Sequence, residues 1–200
     1  MAFNPENFIK EATSDIKTKV GKKRAIIAVS GGVDSMVAAT LASKAIPGQL
    51  VAVFVDTGFM RKNEAIHVKE ASEKVGIPLK VVDASERFIG KLEGVSDPEE
   101  KRKIIGGLFI KVFEEVAKKE RVDVLVQGTI APDWIESGGS GRQMIKSHHN
   151  VGGLPKNMKL ELCEPLRELY KHEVRMTGKA LGLPPYVFER QPFPGQAYIL

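Results

Sequence analysis

The chain has 200 residues, of which 42% are hydrophobic and 28% charged, enough for one domain with its own core and unlike a disordered chain. The 30 Lys and Arg against 25 Asp and Glu leave a net charge of +5, but aromatic residues make up only 6%. With no alternation of arginine and aromatic residues, that charge reads as a surface attracting small phosphorylated molecules rather than nucleic acid.

No apolar run approaches the roughly 20 residues of a membrane span. The start, Met1-Ala2-Phe3-Asn4-Pro5-Glu6, lacks the basic and apolar regions of a signal peptide. The single cysteine, Cys163, has no partner for an internal disulfide. The expectation is a cytoplasmic protein without membrane contact.

Residues 25–29 (Ala-Ile-Ile-Ala-Val) form a continuous apolar run, as in a strand buried on both faces. Ser30-Gly31-Gly32-Val33-Asp34-Ser35 follows, and then an Ala-rich helix over 36–46. Residues 50–56 predict a second buried strand, ended by Thr57-Gly58. Residues 63–75 read as a helix stopped by Gly76 and Pro78, with Glu64, Lys69, Glu70 and Lys74 as a solvated face. Residues 79–83 predict a third strand. Asp97-Pro98-Glu99-Glu100 supplies a cap, a proline and acidic residues opening a helix that runs to about 120, with Ile104, Ile105, Leu108, Val112 and Val116 on one face. Strands over 122–127 and 160–163 follow, then a helix from about Lys171 to 181.

This alternation predicts an α/β fold: a doubly wound, mostly parallel five-stranded sheet with helices on both faces, as a single domain over 1–200. In such sheets ligands sit beyond the carboxyl ends of the strands, where strand order reverses. Ser30, Asp56 and Gly128 occupy such ends.

The loop at 30–35 carries the chemistry. Its glycines permit a tight turn and close approach to a ligand, and its hydroxyls and helix-start N–H groups suit an anion. It is neither G-x-x-x-x-G-K-[ST] nor G-x-G-x-x-G. Asp34 stands where the lysine of a P-loop would be needed, which makes sense beside a polyphosphate if its carboxylate reaches Mg²⁺. A plain glycine turn with a capping serine is the alternative.

Residues from about 130 to 157 lack regular patterning and hold Asp133, Trp134, Glu136, Arg142, Lys146, His148 and His149, with Gly138, Gly139 and Gly141 as hinges. This composition reads as a lid. In Lys146-Ser147-His148-His149-Asn150 three readings stay open: charge stabilisation of a phosphoryl transition state, metal binding, or a polar surface loop. Cys163 reads as core, and His67 and His172 as structural. Trp134 reads equally as a base-stacking platform or as packing for the lid.

The loop SGGVDS resembles the pyrophosphate loop of the N-type ATP pyrophosphatases, which cleave ATP between its α and β phosphates. Longer stretches resemble one branch of that family. They are Phe54-Val55-Asp56-Thr57-Gly58, residues 97–106, Gln127-Gly128-Thr129-Ile130-Ala131-Pro132-Asp133-Trp134-Ile135-Glu136-Ser137, residues 145–155, Glu164-Pro165-Leu166-Arg167-Glu168-Leu169 and Pro192-Phe193-Pro194-Gly195. Together they are similar to the ATP-pyrophosphatase part of the GMP synthetases, with an adenine nucleotide α-hydrolase-like fold.

The resemblance implies ATP and Mg²⁺ as cofactors, and xanthosine 5′-monophosphate (XMP) and ammonia as substrates. It implies that Ser30, Gly31, Gly32, Val33 and Ser35 hold the leaving pyrophosphate and that Asp34 positions Mg²⁺. Phe54, Val55 and Gly128 fall where the family seats adenosine, and Arg102 falls at an XMP contact. Asp133, Glu136, Lys146, His148 and His149 match the closing lid and its catalytic groups. The chain lines up with the separate synthetase subunit of two-subunit enzymes, so a glutamine amidotransferase subunit is the expected ammonia source. The family is homodimeric through a C-terminal domain that follows the Pro-Phe-Pro-Gly stretch; this chain is expected to lack it. A nucleotide-binding module without turnover, or a pyrophosphatase with another acceptor, are the alternatives.

Overall fold

The computed structural model describes residues 3–136 and 160–189. Five strands, β1 (Ala25–Ala28), β2 (Leu50–Asp56), β3 (Leu79–Asp83), β4 (Val124–Val126) and β5 (Glu161–Cys163), form one sheet in the order β3-β2-β1-β4-β5. Every pairing is parallel; Ile26 of β1 lies opposite Val51 of β2 and Leu125 of β4. The expected fold class is therefore observed.

Alternation along the strands sends side chains into two cores. Ile27, Ala52, Phe54, Val124 and Val126 face one side, where α1 (Pro5–Val20), α2 (Val33–Ala45), α3 (Glu64–Lys74), α7 (Lys171–Ala180) and α8 (Pro185–Phe188) pack. Ile26, Val53, Val55 and Leu125 face the other, covered by α4 (Ser85–Leu92) and α5 (Pro98–Glu120). Helix α2 is apolar nearly all round because α1, α7 and α8 enclose it against the sheet. Among the described residues no helix is long and apolar enough to cross a membrane.

Several elements exceed the sequence reading. Helix α1 opens at Asn4, whose side chain accepts the Asn7 N–H at 2.9 Å, and buries Ala12, Ile16 and Val20, which recur every fourth residue. Helix α4 buries Phe88 under the sheet. A short helix, α6 (Ala131–Glu136), occupies the start of the expected lid, and residues 137–157 of that lid lie outside the described residues.

The topology fixes the site. From β1 the chain runs through α2 to β2 and through α3 to β3, then returns by α4 and α5 to β4 on the other side of β1. Strand order therefore reverses between β1 and β4, and the segments leaving their carboxyl ends diverge there to open a crevice.

Candidate active site

Residues 30–35 join the end of β1 to the first turn of α2, at the crevice. The Ser30 and Ser35 hydroxyls lie 3.1 Å apart, the Ser30 N–H donates to Ser35 Oγ at 3.2 Å, and Ser35 Oγ donates to the Gly32 carbonyl at 3.0 Å. The loop thus ties itself into one shape before any ligand arrives. Gly31 has φ +80°, and a methyl group there would meet Val68 Cγ2 at 2.7 Å and Glu64 Oε1 at 2.8 Å. Glycine is required on both counts. Gly32 caps α2 without a side-chain hydrogen bond, which leaves the first-turn N–H groups available to an anion.

Asp34 stands in that first turn. Its Oδ2 accepts from Lys171 Nζ at 2.6 Å, while its Oδ1 is buried with no hydrogen-bond partner. A buried carboxylate oxygen without a donor is costly, and a divalent cation would satisfy it. The donor set therefore fits the Mg²⁺ expected at Asp34. Among the described residues no three His, Cys, Asp or Glu side chains converge on a further metal site.

Gly128, just past β4, lies against the same turn: a methyl group on it would sit 3.0 Å from the Asp34 carbonyl and 3.1 Å from Ser35 N. Gln127 Oε1 and Thr57 Oγ1, just past the ends of β4 and β2, are also buried without partners. Unmet polar atoms of Asp34, Gln127 and Thr57 thus lie in segments that follow the carboxyl ends of β1, β4 and β2, the edge of the sheet at which a polar ligand is expected.

Phe54 is 0% and Val55 2% exposed, with side chains in opposite cores, so any ligand contact there falls to backbone atoms. Asp133 Oδ2 accepts the Ile130 N–H at 3.0 Å, tying down the start of α6. Glu136 ends α6. Arg102 lies exposed on the first turns of α5, paired with Glu99. Lys146, His148, His149, Arg142 and Pro192-Phe193-Pro194-Gly195 lie outside the described residues. Cys163 is buried as expected, and burial pushes its thiol pKa up.

One reading is corrected. Glu64 is not on a solvated face: it is 6% exposed and reaches beneath Gly31. On α3 it shares the inward face with Val68 and Ala71, four and seven positions on, and lies against the loop, whereas Lys69 and Glu70 stand on other sides of the helix. Lys171 marks only a helix start in the sequence; no local pattern announces an ion pair that spans 137 positions.

A parallel sheet with a self-tied anion loop at its switch point, an acidic residue in the following helix turn and no P-loop lysine defines a nucleotide-handling α/β domain. The family model described as a PP-loop domain matches residues 5–184, and the chain belongs to that family. The chain is 61% identical over 191 residues to a subunit of the glutamine-hydrolyzing GMP synthase of Thermococcus kodakarensis, covering 95% of this chain and 61% of that protein. It is 60% identical over 194 residues to the subunit of the same name from Methanocaldococcus jannaschii, covering 96% and 61%. The chain thus spans about three fifths of the length of these relatives. Among solved structures, NMN synthetase from Francisella tularensis superposes with a TM-score of 0.71 at 20% identity, over 98% of this chain and 78% of that one. The NH3-dependent NAD synthetase from Campylobacter jejuni does so with 0.72 at 13% identity, over 96% and 80%. At these identities the two share the fold.

Proposed function

We propose that this chain is the ATP-pyrophosphatase part of a GMP synthase, acting with ATP on XMP and ammonia. The relatives' shared name supports the substrate, and the loop at 30–35 supports the chemistry. The observation that carries the reading is the pairing of an open α2 N-terminus with the half-satisfied Asp34 carboxylate in one helix turn. Such a site holds an anion and a cation together, as a metal–polyphosphate requires.

In the proposed reaction the C2 oxygen of XMP attacks the α phosphorus of ATP, and pyrophosphate leaves. Ammonia then adds at C2 and AMP departs with that oxygen, giving GMP. Ser30, Gly31, Gly32, Val33 and Ser35 bind the departing pyrophosphate through hydroxyl and backbone N–H groups. Asp34 would hold Mg²⁺, which when bound would supply charge neutralisation to the phosphates. Backbone at Phe54, Val55 and Gly128 seats the adenosine, and Arg102 contacts XMP. Asp133, Glu136, Lys146, His148 and His149 belong to a lid over about 130–157 that shields the reactive adenylate from water. A glutamine amidotransferase subunit supplies ammonia, the domain spans 1–200, and the protein works in the cytoplasm.

The test is product analysis with ATP, Mg²⁺, ammonium and XMP. AMP, pyrophosphate and GMP that form only with XMP present are expected. ADP and phosphate as products would overturn the pyrophosphatase reading, and AMP formed with another acceptor would overturn XMP.

A further inference from the structure

We propose that Lys171 is a resident counter-ion that keeps divalent cations off Asp34 in the ligand-free protein and moves onto phosphate when polyphosphate arrives. The inference rests on the pyrophosphate-cradle reading and adds to it the order in which the site fills.

Lys171 Nζ is 2.6 Å from Asp34 Oδ2, where a cation ligand to that carboxylate would otherwise sit. The lysine side chain is 43% exposed, so packing does not lock it in this position. It is the first residue of α7, the end of a helix at which the dipole disfavours a positive charge. Asp34, in the first turn of α2, is at the end that favours a negative one. The position of Lys171 is therefore explained by Asp34 and not by its own helix.

The pair satisfies only half of the carboxylate, since Oδ1 stays buried and without a partner. A bare Mg²⁺ gains little here. Among the described residues no further carboxylates or imidazoles gather to help bind it, and it must first displace an ammonium. Mg²⁺ sites of this kind are completed by substrate phosphates. Polyphosphate changes the balance twice, by supplying the missing oxygen ligands and by giving the displaced Lys171 an anion of its own. Metal and polyphosphate thus enter together, and neither charge is left alone in the crevice.

Direct binding tests this independently of turnover. Mn²⁺ binding to ligand-free protein is followed by electron paramagnetic resonance, and pyrophosphate binding in EDTA by calorimetry, for wild type, Lys171→Met, Lys171→Gln and Lys171→Arg. Both neutral variants are expected to bind Mn²⁺ about tenfold more tightly and pyrophosphate about tenfold more weakly, a coupling of ordinary size. Lys171→Arg keeps both near wild type, and Asp34→Asn combined with Lys171→Met loses the Mn²⁺ gain. A merely structural lysine would weaken both ligands. Mn²⁺ affinity that is unchanged or lower in the neutral variants, or pyrophosphate affinity that does not fall, overturns the proposal. The XMP reading stands or falls separately, on the appearance of AMP and GMP.

Discussion

Gly128 presses its α-carbon against the Asp34 peptide so closely that one methyl group would stand 3.0 Å from both the carbonyl carbon and the carbonyl oxygen. The obstacle is backbone at the start of α2, which has no rotamer to yield. The strand end of β4 thus buttresses the phosphate loop from behind. Gly128→Ala is expected to destabilise the fold by about 1–3 kcal/mol and to weaken pyrophosphate binding by displacing the loop. Gly107, in α5, has nothing within 4 Å of an added methyl group. Gly107→Ala should therefore stabilise by about 0.4–1 kcal/mol with binding unchanged. Denaturant melts and calorimetry on the pair separate the two effects; equal losses would contradict the buttress.

Much of this architecture is legible in the sequence because its signals are local. The runs at 25–29, 50–56 and 79–83 are apolar since parallel strands bury both faces, and Asp97 before Pro98 marks a helix start by hydrogen-bond chemistry alone. The phosphate loop is legible for the same reason, as strand, glycines and helix form one continuous stretch over 25–46. What stays hidden depends on tertiary contact. The Asp34–Lys171 pair joins α2 to α7. Glu64 is spaced with Val68 and Ala71 on the inward face of α3, but a carboxylate reads as solvated until the loop it lies against is seen. Helix α1 carries charge on most of its surface, and its stripe at Ala12, Ile16 and Val20 is narrow. The pattern around Phe54 and Val55 shows a buried strand, but the resemblance points to a ligand-facing role that their side chains, each in a core, leave to the backbone.

Cys163 offers a clean probe of opening. It is 3% exposed at the end of β5, and burial raises its thiol pKa, so the reactive thiolate is scarce. The native protein is expected to resist a disulfide reagent at neutral pH for as long as the sheet stays closed, and to react stoichiometrically in denaturant. Rapid native labelling would show that β5 frays from β4.

Acid should loosen the surface that joins α4 and α5. Arg87 donates to Glu115 at 2.8 and 2.9 Å, a two-pronged pair that lowers the Glu115 pKa from 4.5 and raises that of Arg87. Glu120 is lowered likewise, chiefly by Lys80 and further by Arg24. A carboxylate with a depressed folded pKa contributes stability that is complete above its unfolded value and is lost as pH falls through the folded one. The melting temperature is therefore expected to hold from neutrality to about pH 5 and to decline below it. Glu115→Gln should blunt that decline slightly and, because the pair is exposed, cost no more than about 1 kcal/mol at neutral pH and less in high salt. A large loss at neutral pH would mean that Glu115 supports more than this pair.

Asp97 links stability to the proposed XMP contact. Its carboxylate accepts the Glu100 N–H at 2.7 Å and so fixes the first turn of α5, on which Glu99 pairs with Arg102. Asp97→Ala is expected to cost about 1 kcal/mol, and Asp97→Asn far less, since asparagine caps nearly as well. If Arg102 meets XMP, fraying that turn raises the KM for XMP while leaving ATP and pyrophosphate affinity alone, because the phosphate loop belongs to a different helix. Arg102→Ala should raise the KM for XMP further at little cost in stability, its ion pair being exposed. Steady-state kinetics with each substrate varied in turn checks both variants. An Arg102→Ala protein whose KM for XMP is unchanged would remove this arginine from the acceptor site and return it to the surface of α5.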